Sequence, residues 1–152
     1  MQITVKNKQK DVPISIPQIK KIISTVISFE GQTADEVSVT FISDKEMCRM
    51  HADYFDDPSS TDCISFPMDD SMDVVGLRCL GDVFVCPATA LAYTAMHSES
   101  NPKEEVILYV IHGLLHLMGY DDIDSKDRAK MRRAEKRHLN HLREEGLIIS
   151  GE

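Results

Sequence analysis

The sequence predicts a single α/β domain with about four strands and about five helices. Three short runs, at 36–42, 63–66 and 80–86, are rich in the β-branched and aromatic residues that favour strands. Around them lie longer segments whose apolar side chains recur with the period of a helix. The chain of 152 residues contains no repeat, no low-complexity segment and no internal linker. One domain over residues 1–152 is therefore expected.

The individual elements follow from start and stop signals along the chain. Proline presets the first φ angle of a helix, and serine or asparagine accepts a hydrogen bond from a free N–H group there. Glycine is typical of helix ends. With capping residues included, the predicted strands are 1–5, 36–42, 63–66 and 80–86, and the predicted helices are 17–30, 43–55, 87–97, 101–118 and 125–145. The acidic segment at 68–75 is expected to be exposed.

Composition narrows the functional classes. The net charge of −8 argues against non-specific polyanion binding over the whole surface. Residues 1–10 lack the apolar segment of a signal peptide, and no stretch approaches the roughly 18 apolar residues of a membrane span. A cytoplasmic location without a membrane partner is expected. The four cysteines form no C-x-x-C pair and are expected to be reduced thiols.

The segment 112–122, HGLLHLMGYDD, carries the clearest chemical pattern. His112 and His116 are four residues apart, so they project from one face of a predicted helix, one turn apart. Gly119 ends that helix and lets the chain reverse, which brings Asp122 back toward the histidines. Two imidazoles and a carboxylate with an open fourth position suit a catalytic zinc ion. We therefore predict one metal site formed by His112, His116 and Asp122.

The same spacing leaves alternatives open. It matches the zinc-protease pattern H-E-x-x-H-x-x-G-x-x-H with two changes, Gly113 for the glutamate base and Asp122 for the third histidine. The missing glutamate disfavours a peptidase. Two histidines with one carboxylate also match the ferrous iron triad, so iron or manganese is an alternative to zinc. Without a metal, the two histidines would be core residues of an apolar helix.

Several other polar residues are candidates for supporting roles. Asp82 and Asp121 could orient the ligands, and Ser65 could contact a phosphate, although capping, turn or strand-edge roles explain them equally well. His138 and His141 lack a third ligand at a sensible spacing and are predicted to be surface histidines. No residue is assigned as the catalytic acid or base.

The last predicted helix carries a series of basic side chains, and two interpretations of it are open. These cations could hold an RNA backbone, or they could form a solvated face whose charges pair with nearby acids such as Asp127 and Glu135. The basic residues are Lys126, Arg128, Lys130, Arg132, Arg133, Lys136 and Arg137.

Three segments together resemble the YbeY family of bacterial rRNA maturation factors. Residues 112–122 resemble its HGxLHLxGYDH motif, residues 61–67 (TDCISFP) its T-[DN]-V-L-S-F-P segment, and residues 80–86 (LGDVFVC) its LGDI-type strand. Their order and spacing agree as well. The chain departs from the family at Asp122, where the family usually has histidine, and at Phe55, where the family usually has an arginine thought to matter for RNA cleavage.

The resemblance implies a small α/β domain with a mixed sheet and a metal in an open cleft at a zincin-like helix turn. His112 and His116 would bind one zinc ion, with Asp122 in the position of the third ligand. The implied function is a zinc-dependent endoribonuclease, specific for single-stranded RNA, that acts in 3′-end maturation of 16S rRNA and in ribosome quality control. Its implied partners are rRNA and the small ribosomal subunit, and no DNA partner is expected.

Two other functions are kept as alternatives. Phe55 and Asp122 favour a non-catalytic ribosome-assembly factor in which a metal only stabilises the turn. A metallopeptidase is the other alternative, and Gly113 disfavours it.

Overall fold

The computed structural model describes residues 1–68, 78–97 and 99–148. Every predicted strand and helix is present, with boundaries that differ by two residues or fewer. In chain order the elements are β1 (Gln2–Asn7), α1 (Ile16–Phe29), β2 (Glu36–Phe41), α2 (Asp44–Phe55), β3 (Cys63–Pro67), β4 (Cys79–Val85), α3 (Pro87–Met96), α4 (Pro102–Leu117) and α5 (Ser125–Glu144). The segment predicted to be exposed at 68–75 lies outside the described residues except for Met68, which is exposed.

The four strands form one mixed sheet in the order β1–β2–β4–β3. β1 and β4 both run parallel to β2, whereas β3 runs antiparallel to β4. Parallel neighbours need a crossover connection, and α1 supplies it between β1 and β2. The mixed α/β fold implied by the resemblance is therefore confirmed.

Helix α4 lies between the sheet and the other helices, which explains why it is apolar on most sides. It packs on β3 and β4, and it also contacts α1, α3 and α5. A helix enclosed in this way must be apolar over most of its circumference. Its buried aliphatic residues are Val106, Ile107, Val110, Ile111, Leu114, Leu115 and Leu117. Among the described residues, no helix combines the length and the apolar character needed to cross a membrane.

Helix α4 lies very close to the sheet at Gly113. A Cβ atom at this position would overlap Val83 Cγ1 and lie 2.8 Å from Cys63 Sγ. Ser65 on β3 donates a hydrogen bond from its hydroxyl to the carbonyl oxygen of Gly113, at 3.1 Å. Only glycine lets the helix backbone lie this close to the strands. The contact fixes how deep the adjacent His112 sits in the molecule.

Candidate metal centre

The helix turn brings the three predicted site residues together. α4 ends at Leu117, and Gly119 has the positive φ angle, 101°, that reverses the chain after a helix. The Nε2 atoms of His112 and His116 are 3.1 Å apart. Asp122 Oδ2 lies 3.4 Å from the first of these nitrogens and 3.5 Å from the second.

This triangle has the dimensions of one face of a tetrahedral metal site. With metal–ligand bonds of about 2.0–2.1 Å, ligand atoms on a tetrahedron are about 3.3 Å apart. The three measured separations lie on either side of that value. Among the described residues, no other group of three histidine, cysteine or acidic side chains is drawn together in this way.

A buried carboxylate holds the outer nitrogen of His112. Glu135 on α5 is 3% exposed, and its Oε2 atom lies 2.6 Å from His112 Nδ1. Burial raises the pKa of Glu135, but hydrogen bonds from His112 and Arg132 bring it below its usual value, so this carboxylate is ionised. An ionised carboxylate can only accept, so Nδ1 carries a proton and Nε2 is the ring nitrogen that faces the triangle. Burial lowers the pKa of His112, but the hydrogen bond and charge of Glu135 outweigh it and raise that pKa overall.

A backbone carbonyl holds the outer nitrogen of His116 in the same manner. His116 Nδ1 lies 3.0 Å from the carbonyl oxygen of Tyr120, which can only accept a hydrogen bond. With Nδ1 donating on each ring, the two Nε2 atoms and the Asp122 carboxylate oxygen are the atoms that remain to coordinate a cation. Two imidazole nitrogens and a carboxylate oxygen grouped around one centre make a common ligand set for a divalent metal ion. The donor atoms therefore fit a divalent metal ion.

His112 and Asp122 face a cleft of about 630 Å³, a size within the usual range for ligand sites. Helices α3, α4 and α5 contribute to its walls, together with the segment that leads into β3. The Glu105 carboxyl in this cleft has a raised pKa, because of burial and the nearby charge of Asp62. The remaining lining residues are Thr61, Thr89, Tyr93, Leu108, Tyr109, Arg132 and Glu135.

The candidates for supporting roles make other contacts. Asp82 accepts a hydrogen bond from Ser38 at 2.8 Å, across the β2–β4 pair. Asp121 accepts one from the backbone N–H of Asp122, also at 2.8 Å, and so shapes the turn. Ser65 is engaged with the Gly113 carbonyl. These three residues take the turn and strand roles that were the alternatives to functional ones.

Sequence reasoning missed Glu135 as the residue that orients His112. The sequence places it among the acids that could pair with a solvated basic face, and it does accept a hydrogen bond from Arg132 Nη1, at 2.7 Å. One signal could have identified it. Glu135 lies four residues after Met131 and next to Ala134, so it falls on the inward face of α5, where an acid requires a partner.

The prediction that His138 is a surface residue is wrong. Its side chain is fully buried, and its Nε2 atom lies 2.7 Å from Glu30 Oε1. Burial lowers the pKa of His138, and Glu30 offsets part of that effect. His141 is half-buried and stacks on Phe29 with ring centroids 3.8 Å apart. Both histidines face inward because α5 packs against α1.

Phe55, which stands where the resemblance expects an arginine, is the last residue of α2. The residue is 54% exposed, and its ring lies 5.5 Å from the ring of His51, centroid to centroid. The chain turns immediately afterwards at Asp56, which has a left-handed φ of 57°. The following loop leads to Thr61 and Asp62 in the cleft wall.

Fold and site together define a small mixed α/β protein with a ligand triangle at a zincin-like helix turn. Comparison with known proteins identifies the family. The sequence model described as Endoribonuclease YbeY matches residues 4–143. The chain belongs to the YbeY family of endoribonucleases.

Two relatives agree with this family, and a solved structure shares the fold. Endoribonuclease YbeY of Protochlamydia amoebophila (strain UWE25) is 46% identical over 147 residues, which cover 97% of each chain. Endoribonuclease YbeY of Chlamydia felis (strain Fe/C-56) is 36% identical over 152 residues, covering 99% of this chain and 96% of the relative. The solution structure of TM1509 from Thermotoga maritima has the same fold. It aligns with a TM-score of 0.62 and 21% identity over 99% of this chain and 97% of that one.

Proposed function

We propose that residues 1–152 form a single hydrolase domain, a zinc-dependent endoribonuclease that holds one ion with His112, His116 and Asp122. The observation that carries the proposal is the triangle of two imidazole nitrogens and one carboxylate oxygen, 3.1–3.5 Å apart. When bound, the ion supplies a Lewis acid suited to phosphodiester hydrolysis. Two imidazoles favour zinc, whereas the carboxylate keeps iron and manganese as the metals to compare with it.

The charge distribution on α5 supports a polyanionic substrate. Lys126, Lys130 and Arg133 are exposed and spaced along one face of the helix. Lys130 Nζ lies 5.6 Å from the ring centroid of Tyr120, so this basic face adjoins the metal turn. Lys126 and Arg133 make no ion pair within the described residues. On a chain of net charge −8, such a face is suited to contact phosphates.

The resemblance supports a more specific role. We propose that the substrate is single-stranded RNA of the ribosome, and that cleavage contributes to 3′-end maturation of 16S rRNA and to ribosome quality control. The small ribosomal subunit would be the partner, and the cytoplasm, where ribosomes are assembled, would be the compartment.

The surroundings of Gly113 disfavour a peptidase. In the zinc-protease motif this position carries the glutamate that acts as the general base. Here a side chain at position 113 would run into Val83 and Cys63 of the sheet. A non-catalytic ribosome-assembly factor remains the second candidate, because Phe55 replaces an arginine that the resemblance links to cleavage.

A comparison of three proteins tests the proposal: the unaltered chain, His116→Ala and the control His51→Ala. His51 lies on α2, outside the triangle, and its ring is hydrogen-bonded to the carbonyl oxygen of Ser59 in the following loop. Each protein is assayed for bound zinc, for thermal unfolding and for cleavage of a single-stranded RNA oligonucleotide. The unaltered chain and His51→Ala are expected to bind about one zinc per chain and to cleave, whereas folded His116→Ala does neither.

Two outcomes would contradict the proposal in different ways. Zinc binding without RNA cleavage in the unaltered chain would favour the non-catalytic assembly factor. Normal cleavage by a folded His116→Ala would remove the metal site from the reaction. Replacing zinc with iron or manganese in the same assay identifies the metal that supports the highest rate.

A further inference from the structure

A second polar cluster lies behind the ligand triangle, centred on Glu30 at the carboxyl end of α1. Glu30 Oε1 accepts hydrogen bonds from Arg137 Nη2 and His138 Nε2, both at 2.7 Å. The two Glu30 oxygens also lie 3.2 and 3.1 Å from the hydroxyl of Tyr120, which donates to them. The Glu30 side chain is only 11% exposed. Residues from α1, from α5 and from the metal turn therefore meet at one carboxylate.

Tyr120 connects this cluster to a predicted metal ligand. Its hydroxyl is bound by Glu30, while its backbone carbonyl accepts the hydrogen bond from His116 Nδ1 at 3.0 Å. Its backbone N–H donates to the Leu115 carbonyl at 2.9 Å, which closes the helix end. The position of one residue thus determines both where the turn lies and how His116 is oriented.

Apart from the Tyr120 ring, which packs against the main hydrophobic core, the turn has little side-chain packing to hold it in place. A Cβ atom at Gly119 would meet nothing within 4 Å, so no neighbouring group packs against the chain on that side. Asp121, Ile123 and Asp124 are exposed, and Ile123 is 78% exposed. Within residues 119–124, the Tyr120 side chain is the one that reaches a buried carboxylate. An anchor on Tyr120 therefore has a large influence on this segment.

The other donors in the cluster hold Glu30 in place. His138 is fully buried, and its Nδ1 atom has no hydrogen-bond partner in the described part of the chain. The hydrogen bond from Nε2 to Glu30 is thus the polar contact that compensates for burying this ring. Arg137 Nη2 also lies 3.3 Å from the Tyr120 hydroxyl, so it bridges the acceptor and the phenol.

We infer that Glu30 is a positioning residue for the metal centre. By holding the Tyr120 side chain, it keeps the Tyr120 carbonyl against His116 Nδ1. That hydrogen bond selects the tautomer in which the His116 Nε2 lone pair faces the ligand triangle. The inference rests on the proposed metal site, because it assigns a purpose to the orientation of one of that site's ligands.

The test uses Glu30→Gln, Tyr120→Phe and the double variant, each in the full chain. The matched control is Glu104→Gln, which removes the carboxylate charge that pairs with Arg143 between α4 and α5, away from the turn. Two quantities are measured: zinc affinity by competition with a chelator, and the ring ¹⁵N chemical shifts of His116 in zinc-free protein. The second measurement reports the tautomer directly and needs neither metal nor RNA.

Both single variants are expected to weaken zinc binding about three- to tenfold, less than the roughly 10- to 100-fold typical when a ligand's direct partner is lost. The double variant should bind zinc no more weakly than the weaker-binding single variant, because both changes break the same Glu30–Tyr120 hydrogen bond. The ¹⁵N shifts should show a mixture of His116 tautomers in place of one. Glu104→Gln should leave both measurements unchanged, even where it lowers stability.

Unchanged ¹⁵N shifts in folded Glu30→Gln and Tyr120→Phe would overturn the inference. A loss of zinc affinity in the double variant equal to the sum of the two single losses, expressed as free energies, would also overturn it. If the unaltered chain bound zinc but did not cleave RNA, the proposed activity would fail while this inference stood. If it bound no zinc, the tautomer measurement would still decide whether Glu30 controls His116.

Discussion

The two sides of α4 are held in place by different physical means. On the side that faces the sheet, Gly113 lies so close to Val83 and Cys63 that no Cβ atom fits between them. On the side that faces the cleft, hydrogen bonds that His112 and His116 donate to neighbouring segments orient the two rings. Excluded volume sets the depth of the helix, whereas hydrogen bonds set the directions of the two rings.

This difference separates stability from metal binding. A substitution on the sheet side forces backbone and strands apart and acts on the whole fold. A substitution on the cleft side leaves the packing nearly intact and acts on the orientation and charge of three side chains. Four predictions test whether substitutions on the two sides affect stability and metal binding separately.

The largest effect is expected at Gly113. Gly113→Ala would place a methyl group against Val83 and Cys63, and we expect it to lower the free energy of unfolding by about 3 kcal/mol. Urea denaturation measures the change. Adding Val83→Ala should recover part of the loss, because it removes the Val83 methyl group that the new Cβ would overlap. A stability within about 0.5 kcal/mol of the unaltered chain would show that the helix and sheet separate easily.

The next effect is expected at Glu135, on the cleft side. Glu135→Gln keeps the size of the side chain but removes the charge that fixes the proton on His112 Nδ1. Zinc affinity should fall roughly 10- to 100-fold in a chelator competition assay. Glu144→Gln, at an exposed position near the end of α5, is the control and should bind zinc normally. Equal affinities for the two variants would contradict the role given to Glu135.

A smaller change is expected at Asp122, the most exposed of the three proposed ligands. Asp122→His replaces an anionic ligand with a neutral one, which increases the positive charge that the metal presents to a phosphate. Zinc should be retained, and the rate of RNA cleavage at neutral pH should rise several-fold. Loss of zinc from a folded Asp122→His would count against this assignment.

The smallest effect is expected in how the stability of the protein depends on pH in acid solution. Burial raises the pKa of Glu30, but hydrogen bonds from His138, Arg137 and Tyr120 bring it below its ordinary value of 4.5. The stabilisation that ionised Glu30 contributes is therefore fully present above pH 4.5, and it is lost as the pH falls through the lower pKa of the folded state. Melting temperatures between about pH 3 and 6 should fall less steeply for Glu30→Gln than for the unaltered chain. Parallel curves would show that Glu30 titrates alike in the folded and unfolded states.

What the sequence could predict depended on how local each signal was. Asn101 caps α4 and Gly119 reverses the chain after it, so both ends of the helix are marked by nearby residues. The spacing from His112 to Asp122 likewise lies within one helix turn and one reversal. The strand order β1–β2–β4–β3 depends on packing between distant segments and has no such local mark.

The supports of the site were missed for the same reason. Glu135 is 23 residues from His112, and Glu30 is 90 residues from Tyr120. His138 looked like a surface residue because its partner belongs to a helix 108 residues earlier in the chain. A buried polar residue is recognisable only when its partner is known, and pairing between helices is a property of the folded chain.

The three proposed ligands come from eleven consecutive residues, 112–122, whereas Glu135 follows them on α5. During synthesis the ligands therefore leave the ribosome before the carboxylate that steadies His112. A metal captured at that stage would be weakly held and would exchange freely. Under the proposed ligand set, tight retention of the metal would require α5 to be docked against α4, because Glu135 reaches His112 only then.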